Sequence, residues 1–459
     1  MFFQQITTPG LGCLSYMLGC PAAGVAAVVD PRRDIDVYLD LARQHGMKIT
    51  HIFETHVHAD HVSGALELAK RSGAQIFIHE SADIAYAAEK IKHGDSFELG
   101  AAHIKILHTP GHTPNSVSLV AADAARSPEP QMVLTGDLLF VGDIGRPDLP
   151  GDEILQEQVQ NLYDSLHTVL GDLPDGLEVY PAHGQGSLCG GGLSAKPHST
   201  LGYERRTNPR LRFKDFESFA ADILSGLPMR PQSFSHIIAA NLEGPSASPV
   251  CEEVDFALTV PELVHLAAEG SVILDLRGTP AFAAAHIPGS LHVDAGQSQA
   301  LNWIGVAVPP KANLVLVLES EADFERRRIE LRRIGYDKVL GWLKGGLNAW
   351  IAAGRSVSNL PLISADALKI GLDEGKVRLL DVRTEREYDG YKLPGALHLS
   401  FEDILAGRYP AGSEAADDVV LCRTGYRAAV ASSLLMAAGH SIGGMLAGGL
   451  EAFRALNGK

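Results

Sequence analysis

The sequence predicts an α/β protein in three consecutive parts, and three observations carry that prediction. At 459 residues the chain is long enough for about three domains of roughly 150 residues each. Its first half alternates short apolar runs with helical patterns, and each run ends in a cluster of His, Asp and Gly. Its second half carries one pattern twice, each copy about the size of a small domain.

Composition narrows the class. With 46% hydrophobic and 20% charged residues, sizeable cores can form. A net charge of -16 argues against a nucleic-acid partner, which needs a basic face. The opening MFFQQITTPGLGCLSYML has no basic segment and no long apolar run, so no signal peptide is expected. No stretch approaches about 18 uninterrupted apolar residues, so no membrane span is expected either. The five cysteines, Cys13, Cys20, Cys189, Cys251 and Cys422, form no CxxC pair and no disulfide framework. That fits a reducing, cytoplasmic setting in which most of them are small buried hydrophobes. A homo-oligomer is expected.

The elements follow in order. GVAAVVD and ITHIFET read as strands, HVSGALELAKRSG as a helix and AQIFIHE as a strand. HIKILHTPGH, MVLTGDLLF and LEVYPAHG are further strand-then-loop units. Polar residues at strand ends are where α/β folds place their sites. Residues 244–253, GPSASPVCEE, are a linker by composition. Beyond them SVILDLRGTPAFAAAHIPGSLHV resembles VRLLDVRTEREYDGYKLPGALHL, with Asp275 equivalent to Asp381 and Pro288 to Pro394. The copies end alike in WLKGGLNAW and LAGGLEAF, and SNLPLI at 358–363 joins them. The expected domains are 1–245, 256–357 and 358–459.

Thr55-His56-Val57-His58-Ala59-Asp60-His61 is an HxHxDH motif. Three imidazoles and a carboxylate within six residues, between a strand and a helix, cannot pack as a core without a common partner. A metal supplies one, because imidazoles give lone pairs and the carboxylate balances charge. His112 in TPGHT, Asp137 in TGD and His183 in PAHG add ligand types at loop positions.

This set resembles the metallo-β-lactamase superfamily over about residues 1–240. The resemblance implies an αββα sandwich with the metal at the open edge of its two sheets. HxHxDH specifies that fold better than the reaction, since members include zinc hydrolases and iron oxygenases. THVHADHVSGA, HTPGHTPNSVSL and TGDLLFVGDIGRPD resemble the persulfide dioxygenases within it. That implies one Fe(II) per dioxygenase domain, held by His56, His112 and Asp137. Such a facial triad leaves positions for O2 and a substrate sulfur. His58, Asp60, His61 and His183 would then orient ligands and substrate. Arg146 matches a residue that contacts the thiol persulfide in the family; by itself it reads as a salt-bridging arginine. Tyr180 matches a pocket tyrosine near the iron, or is a core aromatic. The segment from Gly184 to Leu211 resembles the fused bacterial persulfide dioxygenase–sulfurtransferases of the CstB type. There Cys189 would lie close to the iron, as a sulfur-transferring thiol or an inert buried one.

In the last domain the strand DVVL runs into Cys422-Arg423-Thr424-Gly425-Tyr426-Arg427 and then a helix. A Cys at such a turn faces backbone N–H groups and a helix N-terminus, which favour a thiolate or a persulfide anion. Gly425 lets the loop curl, and Arg423 and Arg427 add charge for an anionic sulfur compound. With the DVR and LPGALHL motifs, this resembles the rhodanese family over about residues 358–459. Some phosphatases share C-x-x-G-x-R. In the preceding copy, counting back 26 residues from Gly345 reaches Glu319, as the same count from Gly448 reaches Cys422. Residues 256–357 therefore read as a rhodanese-like domain without its cysteine.

The expected function is oxidation of a low-molecular-weight thiol persulfide by O2 to sulfite. Sulfane-sulfur transfer at Cys422 among sulfite, thiosulfate and a thiol is coupled to it. One alternative is a zinc thioester hydrolase of the glyoxalase II class with an appended sulfur carrier. Another is a non-catalytic sulfur relay, which would need no metal.

Overall fold

The alternation of the first half becomes two six-stranded sheets. The first runs β1 (Phe2–Thr8), β2 (Cys13–Cys20), β3 (Val25–Val29), β4 (Lys48–Phe53), β5 (Gln75–His79) and β6 (Glu89–Ile91) in spatial order. The second comprises β7 (Ser96–Leu99), β8 (Ala102–His108), β9 (Val117–Asp123), β10 (Met132–Gly136), β11 (Glu178–Pro181) and β12 (Ser199–Thr200). In this computed structural model the described residues are 1–187, 189–190, 192–225, 227, 230–245, 256–410 and 417–456.

Period-two alternation sorts the apolar residues onto the two faces of each sheet. Leu14, Tyr16, Leu18 and Phe53 from the first sheet meet Ile104, Ile106, Leu119 and Leu134 from the second. Met17, Val28 and Ile52 point the other way, against Tyr38 and Ala42 of helix Asp36–Gln44 and Leu68 of helix Ala65–Ser72. Val133 and Val179 of the second sheet pack under Val159, Leu162 and Phe219, which lie on helices Leu155–Asp164 and Phe216–Ser225. The result is helix, sheet, sheet, helix, the metallo-β-lactamase arrangement. The helix read over HVSGALELAKRSG starts only at Ala65. His61 to Gly64 stay in the loop because other contacts hold their backbone, as described below.

The second half contains two five-stranded sheets with all neighbours parallel. One is ordered β13 (Ala257–Leu258), β17 (Val339–Leu343), β16 (Leu314–Val317), β14 (Val272–Asp275), β15 (Leu291–His292). The other repeats that order with β18 (Leu362–Ile363), β22 (Gly444–Leu446), β21 (Asp417–Leu421), β19 (Val377–Asp381) and β20 (Leu397–His398). The β16 run LVLV is buried at every position, as a strand covered on both faces must be. The chain divides into two units, Met1–Val250 with Ile329–Gly335, and Cys251–Arg328 with Tyr336–Lys459. Both rhodanese-like sheets fall in the second unit. Most of the linker read at 244–253, with Cys251, lies outside the described residues. Among the described residues no helix is long and apolar enough to cross a membrane.

Strand register corrects one sequence reading. Asp275 pairs with Val317 in β16, whereas the equivalent Asp381 pairs with Leu421 in β21. On the far side Trp342 pairs with Leu316, and Met445 with Val420. Both neighbours therefore place Leu318, not Glu319, at the position of Cys422. The count from the glycines slips because the silent copy's return connection is one residue longer. Its loop differs too, with a 3-10 turn at Glu321–Asp323 before the helix resumes at Phe324.

Candidate functional site

The first site gathers where the strand ends of the sandwich meet. Thr55 fixes the start of HxHxDH. Its backbone N–H donates to Asp30 Oδ1 at 2.7 Å and its hydroxyl to Asp30 Oδ2 at 2.8 Å. With its hydrogen spent, Thr55 Oγ1 can only accept from His56 Nδ1, 2.9 Å away. His56 therefore presents the lone pair of Nε2 to the site. His112 is fixed likewise, its Nδ1 donating to the Arg146 carbonyl at 2.7 Å and leaving Nε2 free. Gly145 makes that approach possible, since a Cβ there would collide with the Asp137 carbonyl.

Asp137 lies between them. Its Oδ2 is 3.2 Å from His112 Nε2, 3.2 Å from His183 Nε2 and 3.9 Å from His56 Nε2. One donor atom each from His56, His112 and Asp137 falls within a 4.8 Å span. All three residues are 1% exposed. His56 Nε2, His112 Nε2 and both Asp137 oxygens are buried without a hydrogen-bond partner. Four such atoms in one place are costly unless a cation satisfies them. Burial drives His56 and His112 below the usual imidazole range, so both are neutral donors. Burial would push the Asp137 carboxyl up, but His183, His112 and His56 outweigh it and hold it low. Neutral imidazoles around an ionised carboxylate are what a divalent metal requires.

His58 is held differently. Its Nε2 faces Glu54 Oε2 at 3.0 Å and Asp30 Oδ1 at 3.2 Å. Burial opposes a charge on it, yet Asp30 and Glu54 raise its pKa well above the ordinary value. It groups with Asp60 and His61 rather than with the first three donors. Asp60 also accepts from the Cys13 thiol at 2.9 Å, and His183 joins that pair. On the other side of His183, Cys189 completes a cluster with Asp137. Burial is the largest influence on the Cys189 thiol and pushes it up to about 12.

The Arg146 side chain is 3% exposed. Its Nε and Nη2 fork onto Asp148 at 2.6 and 2.7 Å, so that edge is committed within the chain. Tyr180 packs against the inter-sheet core and donates its hydroxyl to Glu178 at 3.0 Å. Glu178 borders a cavity of about 460 Å³ that Lys196, His198 and Tyr203 also line. Tyr180 and Glu178, two residues apart, share one face of β11.

Asp30 and Glu54 were not read as site residues from the sequence, and two more distant contributors escaped it as well. Asn241, on helix Ser233–Glu243, donates to the carbonyls of His58 and His61, each at 2.9 Å, and accepts from Ser63 N–H at 2.9 Å. It clamps the motif loop and keeps Ser63 out of the helix. Cys13 reaches the site because its strand end bridges His183. Neither position carries a local signal.

The second site is the loop after β21. Cys422 is fully buried, and its Sγ accepts the Gly425 N–H at 3.1 Å. Gly425 has φ +99°, open to glycine at little cost. Arg423 and Thr424 are exposed, while Tyr426 and Arg427 are half-buried. Among the described residues Arg423 pairs with exposed Glu451, at 2.7 Å, a contact worth about 0–1 kcal/mol. In the copy without the cysteine, Glu321 accepts the Gly345 N–H of the glycine turn after β17 at 2.6 Å, so a carboxylate is held at that loop. Leu318→Cys in a Cys422→Ser background is accordingly expected to give no sulfur transfer. Robust thiosulfate-dependent transfer by that double variant would show the silent loop to be competent.

Known proteins bear on both sites. The metallo-beta-lactamase superfamily profile matches residues 8–183. The rhodanese-like domain profile matches twice, at 259–353 and 364–456. A persulfide dioxygenase ETHE1 of Bos taurus is 30% identical over 248 residues, covering 53% of this chain and 88% of its own. A beta-lactamase hydrolase-like protein of Agrobacterium fabrum is 29% identical over 273 residues, 51% of this chain; the match spans only 59% of that protein's length. Hydroxyacylglutathione hydrolases match over shorter stretches. Among solved structures, a metallo-beta-lactamase from Staphylococcus aureus has a TM-score of 0.67 and 30% identity. The match covers 75% of this chain and 98% of that one.

Proposed function

This chain belongs to the metallo-β-lactamase superfamily, has persulfide dioxygenases among its relatives and carries two rhodanese-like domains, and on that premise we propose that it oxidises a thiol persulfide and passes sulfane sulfur through Cys422. In the first reaction a persulfide RSSH, O2 and water give the thiol RSH, sulfite and two protons. In the second, the Cys422 thiolate takes the terminal sulfur of a persulfide and releases its thiol. Sulfite then removes that sulfur as thiosulfate and restores the thiolate.

The observation that carries this reading is the group of unpartnered lone pairs on His56, His112 and Asp137, in one chain with a cysteine loop built for anionic sulfur. Two imidazoles and one carboxylate are the donor set of non-haem Fe(II) oxygenases. Fe(II) bound there would supply the O2 chemistry. The protein's own part is to fix donor orientation through Thr55 and the Arg146 carbonyl. It also screens the donors from bulk solvent, since His58, Asp60, His61 and His183 are each at most 5% exposed.

The rival is a two-zinc thioester hydrolase, which the second donor group of His58, Asp60 and His61 and the hydroxyacylglutathione hydrolase relatives favour. Metal analysis and an O2 electrode, with a panel of low-molecular-weight thiol persulfides, separate the two. One iron per chain with persulfide-dependent O2 uptake is expected. Two zinc ions and no uptake would overturn the dioxygenase reading.

A further inference from the structure

We infer that Glu387 is a positioning residue of the sulfur-transfer loop, holding the Arg427 guanidinium against the Cys422 sulfur so that an anionic sulfur donor meets a fixed cation there. This rests on the sulfurtransferase reading of Cys422 and adds a residue to it that lies outside the loop. Arg427 donates from Nη1 to Glu387 Oε2 and from Nη2 to Oε1, both at 2.7 Å. Arg427 lies five residues after Cys422 in the same loop, and after burial and Glu387 the Cys422 thiol is the next influence on its charge. A two-pronged pair fixes the plane of a guanidinium as well as its place. Without the carboxylate, a largely buried arginine would turn towards water rather than towards sulfur.

Glu387 is itself held. It sits at the third position of helix Glu385–Gly390, where Thr384 donates to Oε2 from its backbone N–H at 3.0 Å and its hydroxyl at 3.1 Å. Arg383 of the DVR motif donates to the Glu387 carbonyl at 2.9 Å and to the Tyr391 carbonyl at 2.6 Å. Its other edge is locked on Asp381, with Nη2 at 2.6 Å and Nε at 2.9 Å. A continuous chain of contacts thus runs from Asp381 to the Arg427 guanidinium. Burial alone would raise the Glu387 carboxyl, but Arg427 and Thr384 bring it down to about 2. It stays ionised throughout the neutral range.

The silent copy is an internal control. It keeps the Asp275–Arg277 fork at 2.6 Å, the Arg277 bond to the Ala285 carbonyl at 2.8 Å and the helix Thr279–Ala284. Yet Ala281 stands at the position of Glu387. Counted from Leu318, Asp323 stands where Arg427 would be, and counted from the helix start Glu325 does; either way an acid replaces the arginine. The folding framework persists in both copies. The Glu–Arg pair is missing where the thiol is missing, which ties it to sulfur rather than to the fold.

The test uses the full-length protein and reads Cys422 by mass spectrometry. Alkylation by anionic iodoacetate is compared with alkylation by neutral iodoacetamide, and thiosulfate kinetics are measured alongside. In Glu387→Gln the iodoacetate-to-iodoacetamide rate ratio at Cys422 is expected to fall about tenfold, the scale of one charge-assisted hydrogen bond. The KM for thiosulfate should rise by a similar factor, with persulfide-dependent O2 uptake unchanged. Glu387→Asp should restore part of the ratio. Arg427→Lys, which leaves the Thr384 contacts alone, should lower it. A merely structural role would change both alkylation rates together and leave their ratio alone. A ratio within about twofold of the wild type in Glu387→Gln and Arg427→Lys would overturn the inference. If the wild type transferred no sulfur at all, the sulfurtransferase reading would fall, and the ratio would still decide the role of Glu387.

Discussion

Replacing His112 with alanine is expected to abolish iron binding and O2 consumption while leaving sulfur transfer at Cys422 intact. The imidazole supplies one of three convergent donors; His183 is as close to Asp137 but groups with Cys189, or with Cys13 and Asp60, rather than with His56. Arg146 offers only the carbonyl that His112 Nδ1 occupied, and His58 is turned to Glu54 and Asp30. Changes to residues that merely support ligands cost about 10–100-fold in metal affinity or activity, so losing a donor should exceed about 100-fold. The Cys422 loop grows from a separate sheet and a separate core, so its chemistry should survive. Iron content, O2 uptake with a persulfide and thiosulfate-dependent sulfur transfer are the three measurements. Loss of all three in a folded variant would refute the assignment of two independent sites.

The second large effect concerns product. Given a persulfide and O2, the intact chain is expected to release thiosulfate as well as sulfite. Sulfite made by the dioxygenase domain can take the sulfane sulfur that a second persulfide loads onto Cys422. Cys422→Ser keeps the metal donors but removes the thiol cradled by the Gly425 N–H. A serine hydroxyl holds no sulfane sulfur and is a far weaker nucleophile than a thiolate at neutral pH. The variant should still consume O2 and shift its product towards sulfite. Sulfite also reacts slowly with free persulfide, so early time points are compared with an enzyme-free control. An unchanged early ratio of thiosulfate to sulfite would mean that Cys422 does not capture the dioxygenase product.

Much of this was legible in the sequence, for a physical reason. Metal donors must crowd polar side chains into apolar surroundings, so His56 to His61, His112, Asp137 and His183 stand out against the strands that carry them. The strand before Cys422 was legible because DVVL is a near-continuous apolar run, and its Val419, Val420 and Leu421 are buried in β21. What stayed hidden was the support. Asp30, Asn241 and Cys13 come from distant segments, and nothing in their local sequence announces the contact. Glu319 was misplaced because counting along the chain assumes loops of equal length, whereas hydrogen-bonded register selects Leu318. Tyr180 shows the same limit: a strand position dictates which face a side chain takes, not which neighbour its hydroxyl finds.

The Asn241 clamp has a temporal consequence. It lies 183 residues after His58, whose carbonyl it holds. Polypeptide synthesis proceeds at about 5–20 residues per second, so on the order of 10–40 s separates the emergence of the motif loop from that of its clamp. During that interval the imidazoles have left the ribosome but lack the contact that fixes their loop. A metal ion that meets the nascent chain then meets an unfastened set of donors. The motif loop is fastened only once about half of the 459-residue chain has been made, and a polypeptide ending at the boundary of the family match, residue 183, would lack the clamp.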